Sequence, residues 1–207
     1  MHCNLCANKN KIFVPFLLSI MLIMSVFCLA GCDKDEEFDE TEIIIRKNGT
    51  ITENIVESFD KDYYNLDELK TEFTNEIAEY NESIGSEEIT LEKLEQEGGN
   101  VYATLDFTGP SDYENFIKED MFVGSIGDAY DHGYTMDVSL KGVESGDIIN
   151  KVAIMGKADS TIIILSEPVK VTTFKEIAYV SANVDVLGSN KARILSESGG
   201  LAYIVLK

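Results

Sequence analysis

Val101-Tyr102-Ala103-Thr104-Leu105-Asp106-Phe107 alternates apolar and polar side chains without a break. Successive strand side chains point to opposite faces, so the run predicts a half-buried strand with Val101, Ala103, Leu105 and Phe107 inward. Gly98-Gly99-Asn100 supplies a turn before it, and Ile89 to Glu97 supplies the partner strand of a hairpin. Upstream the period changes. Leu66, Leu69, Phe73, Ile77, Tyr80 and Ile84 recur at spacings of three and four, a single apolar stripe on a helix capped by Asn65 and running to about Ser83. Asp67, Glu68, Glu72, Glu76, Glu79 and Glu82 fall largely off that stripe. A strand pair beside a long amphipathic helix points to an α+β protein.

The flanking segments extend the pattern. Ile43-Ile44-Ile45, the turn Lys47-Asn48-Gly49 and the run Thr50 to Phe59 form an earlier hairpin, with Asn-Gly as the turn signal. Ser111-Asp112-Tyr113-Glu114 reads as a capping box for a short helix carrying Tyr113, Phe116 and Ile117 on one side. Met121 to His132 is ambiguous between strand and short helix. Beyond it, Tyr134 to Leu140, Ile148 to Met155, Thr161 to Leu165, Val169 to Phe174, Val180 to Val186 and Leu201 to Leu206 are β-rich, and Pro168 marks a break or an edge. The expected fold is one α+β domain over residues 43–207, an antiparallel β-sheet with one long and one short helix packed on it. About 165 residues bury close to 70% of their unfolded surface, enough for stability without a metal or disulfide.

The N-terminal stretch carries a different message. Lys9 and Lys11 precede an apolar run from Ile12 to Ala30, with no acid before Asp33. A charged beginning, an apolar middle and a small-residue end make a secretory signal. The end, Leu29-Ala30-Gly31-Cys32, resembles the lipobox of bacterial lipoproteins. That resemblance implies a signal peptide over residues 1–31, cleavage between Gly31 and Cys32, and a diacylglyceryl group on the Cys32 thiol, often with acylation of the new N-terminus. Two or more acyl chains hold a protein stably at a membrane, because each buried CH2 contributes roughly 0.8 kcal/mol. The alternative, an uncleaved transmembrane helix, is permitted by the length of the run. Either leaves the remainder of the chain outside the cytoplasm. Residues 32–42 then form a lipidated Cys and an acidic linker, with Asp33, Asp35, Glu36, Glu37, Asp39, Glu40 and Glu42 against Lys34 alone. Asp33 resembles the inner-membrane retention signal of enterobacterial lipoproteins, where the cell has an outer membrane. Tyr179-Val180-Ser181-Ala182-Asn183-Val184 and Gly200-Leu201-Ala202-Tyr203-Ile204 are similar to small clostridial lipoproteins, a resemblance that implies no activity.

Charge narrows the partners. The formal charge of −20 becomes −22 when the signal and its two lysines are removed. So acidic a surface argues against nucleic acid, whose phosphates need basic side chains, and against flat adsorption on anionic lipid. Solubility is the ordinary reason for such charge, and capture of cations or of a basic partner the more specific one. Cys3, Cys6 and Cys28 leave with the signal and Cys32 takes the lipid, so no disulfide is expected in the mature chain. The Cys3-Asn4-Leu5-Cys6 spacing alone does not close a zinc site.

Catalytic motifs are weak. His132 is the single histidine after the signal, and Asp131-His132-Gly133 has turn chemistry. Gly124-Ser125-Ile126-Gly127 fails as a nucleophile elbow because Val123 precedes Gly124. Gly156-Lys157-Ala158 is no Walker loop, and the glycine pattern for dinucleotides is absent. An EF-hand beginning at Asp128 would place Tyr130 third, His132 fifth and Ser139 twelfth, unsuitable ligands for calcium. Acids are abundant, but a glycosidase pair cannot be spaced from sequence, and tryptophan, a frequent sugar platform, is absent. Tyr63, Tyr64 and Tyr130 could form a contact surface, but the expectation for Tyr63 and Tyr64 is packing around the helix start.

These observations give an expected function: a non-catalytic binding or accessory module, lipid-anchored at the cell membrane and facing outward, with an envelope protein as partner and no cofactor. The competing expectation is an extracytoplasmic hydrolase using Asp128, Asp131 and His132. Divalent-cation capture is the third.

Overall fold

Hairpin chemistry builds the first sheet. β1 (Glu42–Ile45) and β2 (Ile51–Ser58) close around Gly49, whose φ of 92° lies in the left-handed region that glycine enters at no steric cost. The Arg46 N–H donates to the Thr50 carbonyl across this turn at 3.0 Å. β3 (Ile89–Glu97) and β4 (Asn100–Phe107) form the second hairpin, turning at Gly98 and Gly99, both at positive φ. β2 and β4 pair antiparallel along their whole length, from Ile51 opposite Phe107 to Ser58 opposite Asn100.

The computed structural model describes residues 38–195 and 200–207. The signal, the Gly31–Cys32 junction and linker residues 33–37 lie outside the described residues. Among those described, the helices are α1 (Leu66–Ile84), α2 (Pro110–Ile117), α3 (Ile126–Asp131) and α4 (Lys151–Met155). None is long and apolar enough to cross a membrane. The remaining strands are β5 (Met121–Ser125), β6 (Leu140–Gly142), β7 (Ile148–Ile149), β8 (Thr161–Leu165), β9 (Lys170–Thr172), β10 (Ile177–Val180), β11 (Val184–Val186), β12 (Lys191–Ile194) and β13 (Ala202–Leu206).

The α+β class, the mostly antiparallel pairing and the long and short helices are as expected. The strands divide between two sheets, in the orders β11-β12-β9-β1-β2-β4-β3 and β5-β8-β13-β10-β6-β7. β1 and β9 pair parallel. The chain passes from the second sheet to the first between Leu165 and Lys170, at Pro168, which has no N–H to give to a ladder. The run Val180 to Val186 is likewise two strands, β10 and β11, in different sheets. Asn183 lies at that break, its side chain accepting from the Ser181 hydroxyl at 2.6 Å.

The main core lies where the sheets face one another. Ile43, Leu105, Phe107 and Val171 from the first meet Ile163, Leu165, Ile204 and Leu206 from the second, with Ile77 of α1 and Tyr113 of α2 closing it. Fully burying one such aliphatic side chain contributes about 2 kcal/mol. The alternate residues of β8 and β13, namely Ile162, Ile164, Tyr203 and Val205, point to the other face of the second sheet. There α3, α4, Met136 and Leu140 cover them. Two covered faces explain why Thr161–Leu165 and Ala202–Leu206 are nearly unbroken apolar runs rather than alternating ones.

Four local readings are corrected. The short helix starts at Pro110 with Gly109 at its N-cap and no side-chain cap, so Ser111 does not act as a capping residue. Tyr134 to Val138 is not a strand, and β6 begins at Leu140. Ile148 to Met155 is a two-residue strand followed by α4, and β12 was not anticipated. Finally, the compact unit begins at Phe38, so five residues assigned to the acidic linker belong to it, and the last of them, Glu42, opens β1.

Candidate functional site

Asp128, Asp131 and His132 all belong to α3 or its end, and all are exposed. Ser125 is the N-cap: its hydroxyl accepts from the Asp128 N–H at 3.0 Å and donates to the Asp128 carboxylate at 2.7 Å. His132 reaches the same residue differently. Its Nδ1 lies 2.8 Å from the Asp128 carbonyl oxygen, which can only accept, so Nδ1 carries the proton. The imidazole also rests 5.5 Å from the Phe122 ring centroid. Thus the Asp128 carboxylate serves the cap, His132 serves the backbone at the helix end, and Asp131 joins neither bond. The three residues are close in sequence but do not converge on a reacting position.

Ionisable groups with shifted equilibria gather elsewhere. Glu53 sits on β2 between Ile51 and Ile55, and in register it faces Ile43 on one side and Leu105 on the other. All these side chains point into the main core, and Glu53 is only 3% exposed. Burial, then the Glu167 charge, pushes its pKa up to about 8. One carboxylate oxygen, Oε2, has no hydrogen-bond partner among the described residues. Tyr113, fully buried on α2, donates its hydroxyl hydrogen to Glu167 on the β8–β9 connection. Burial raises Glu167 as well, with Glu119 adding to the effect and the Tyr113 bond opposing it. Tyr113 is held above the ordinary phenol value by burial and by the Glu53 and Glu167 charges. Ser166 donates to Glu119 at 2.6 Å and closes the outer side of the group.

This cluster holds a neutral carboxylic acid at neutral pH, but the sheets and α2 enclose it. Neither the surface depression of about 490 Å³ along the polar side of α1 nor that of about 420 Å³ beside Asn183 and Leu201 is lined by its members. Sequence reasoning missed it. The available signal was Glu53 at an inward position of the alternation Ile51, Glu53, Ile55, where a charged side chain is out of place.

The opposite face of the first sheet is polar. One transverse row runs Asp185, Arg193, Lys170, Glu42, Asn54, Thr104, Lys93 across seven strands. Its bonds are mutual: Thr104 donates to Asn54 at 3.0 Å, Asn54 to Glu42 at 3.3 Å, and Lys170 pairs with Glu42 at 3.4 Å. Glu40 comes in from the N-terminal side to meet Arg193 at 2.6 Å and Lys170 at 3.7 Å. Phe38 lies edge-on to Tyr102 at 5.7 Å, with the Lys93 ammonium over its ring.

Of the tyrosines expected to be accessible, Tyr63 is 76%, Tyr64 42% and Tyr130 48% exposed. Tyr64 stacks on Phe59 and meets Tyr63 edge-on, both at 4.9 Å, so the pair forms a projecting aromatic tip rather than packing under the helix start. For divalent cations, no group of three or more His, Cys, Asp or Glu side chains among the described residues is placed to hold a metal. No protein-family model, curated protein or solved structure matches this chain.

Proposed function

We propose that the protein is a lipid-anchored, outward-facing membrane lipoprotein whose folded domain is a non-catalytic binding or accessory module. The supporting observation is the short interval between the anchor residue and the fold. Phe38, six residues after Cys32, is already 8% exposed against Tyr102, and Glu40 is already paired with Arg193. Six residues span at most about 21 Å, so lipid on Cys32 would hold the sandwich next to the bilayer. The local use of Asp128 and His132 as cap and backbone partners supports the non-catalytic part of the reading.

Mass spectrometry of the mature N-terminus tests the anchor. Diacylglyceryl on a Cys32 N-terminus is expected, and Cys32→Ser is expected to abolish it and release the domain from membranes. Reversible cross-linking of intact cells with a C-terminal tag tests the accessory role. One envelope protein recovered in proportion supports it; recovery no different from an unrelated lipoprotein counts against it.

A further inference from the structure

The aromatic tip and the N-terminal segment occupy the same end of the first sheet. Phe38 packs on Tyr102, which pairs with Val56 on β2. Two residues along, or about 7 Å, Asn100 pairs with Ser58, and the Phe59 N–H then donates to the Gly99 carbonyl at 2.7 Å. Thr41 fixes the direction of the incoming chain: its hydroxyl accepts from the Val56 N–H at 3.0 Å. The described chain therefore begins at the end of the first sheet that carries Phe59, Tyr63 and Tyr64. Tyr130, the other strongly exposed tyrosine, is on α3 against the second sheet.

We propose that Tyr63 and Tyr64 form a membrane-contacting tip that enters the interfacial layer of the bilayer holding this protein's own anchor. The inference rests on lipidation at Cys32. A tyrosine ring is apolar in its body and wet at its hydroxyl, which suits the headgroup region. Lys61 pairs with Asp60 at 3.0 Å and Asp62 adds a negative charge, so the tip favours zwitterionic over anionic headgroups. Phe59 stacks behind Tyr64 and stiffens the projection.

The chain contains no tryptophan, so Tyr63→Trp in the full lipidated protein gives a single reporter. In phosphatidylcholine vesicles its emission is expected to shift to the blue and to fall about twofold with lipids brominated near the headgroup, as for an interfacial aromatic. Tyr130→Trp in the same vesicles is expected to stay unquenched. An unquenched Tyr63→Trp reporter, in protein whose mass shows diacylglyceryl on Cys32, overturns the tip and leaves the anchor standing. A blue shift that follows protein density without bromine quenching assigns the tip to a second copy and also overturns the proposal. Absence of lipid on Cys32 overturns both readings.

Discussion

The Tyr113 hydroxyl donates to the Glu167 carboxylate across 54 residues of sequence, tying α2 to the connection by which the chain passes from one sheet to the other. Glu53 shares their electrostatic environment from the middle of β2, with its Oε2 unpartnered. Burial without a cation partner favours the protonated form of a carboxyl, and this links stability to pH.

The sign follows from the direction of the shift. Well below pH 4.5 Glu53 is protonated in both the folded and the unfolded chain and adds no pH dependence. Between 4.5 and about 8 the unfolded chain releases a proton that the folded chain keeps, so stability falls as pH rises. The raised Glu167 acts in the same direction. The loss from Glu53 is on the order of 5 kcal/mol at most, taking 1.36 kcal/mol per pKa unit. Urea midpoints measured from pH 5 to 8.5 are expected to decline, and Glu53→Gln to flatten the decline. An equal slope in Glu53→Gln would remove Glu53 from the account.

Tyr113→Phe separates packing from hydrogen bonding at the same place. The ring keeps its edge-on contact with Phe107 at 5.2 Å, while Glu167 loses its donor. A loss of about 1–2 kcal/mol is expected, larger at high pH, where an ionised Glu167 most needs that donor. Equilibrium unfolding at pH 6 and pH 8 compares the two.

Local patterns were the legible part of this fold. The spacing of Leu66, Phe73, Ile77 and Tyr80, the Asn65 cap and the alternation of β4 depend on neighbours in sequence, and the structure follows them. The division into two sheets was not legible, because it depends on which distant strands meet. Val180 and Val184 continue one alternation in sequence, yet they pair in different sheets. The buried acid cluster was hidden for the same reason: Tyr113 and Glu167 become partners only through packing. Asp128 and His132 are the opposite case, close in sequence with a proximity that is helical and already used in local bonds, and the turn reading of Asp131-His132-Gly133 agrees with the structure.

Asn81 is the joint between α1 and β3. Its side-chain oxygen accepts from the Glu88 and Ile89 N–H groups at 3.0 and 3.1 Å, and its amide donates to the Ile89 carbonyl at 2.9 Å. Asn81→Ala removes all three bonds and is expected to cost about 2 kcal/mol. Asn81→Asp keeps both acceptor bonds, loses the donor and is expected to cost less. Amide exchange at Ile89 is the direct measurement, faster in Asn81→Ala than in Asn81→Asp.

Phe38 and Glu40 hold the start of the domain by different forces, and their substitutions should differ in size. The Glu40–Arg193 pair is partly exposed, so Glu40→Ala is expected to cost no more than about 0.5 kcal/mol, less in high salt. Phe38→Ala uncovers the Tyr102 ring and is expected to cost about 2 kcal/mol. A double-mutant cycle with Tyr102→Ala should show coupling of about 0.5–1.5 kcal/mol if the edge-on contact itself contributes. Proteolysis supplies the spatial readout: Phe38→Ala should open the chain near residues 38–41 to cleavage before the rest of the sheet, whereas Glu40→Ala should not. Coupling near zero would mean that Phe38 is stabilised by generic burial and not by Tyr102.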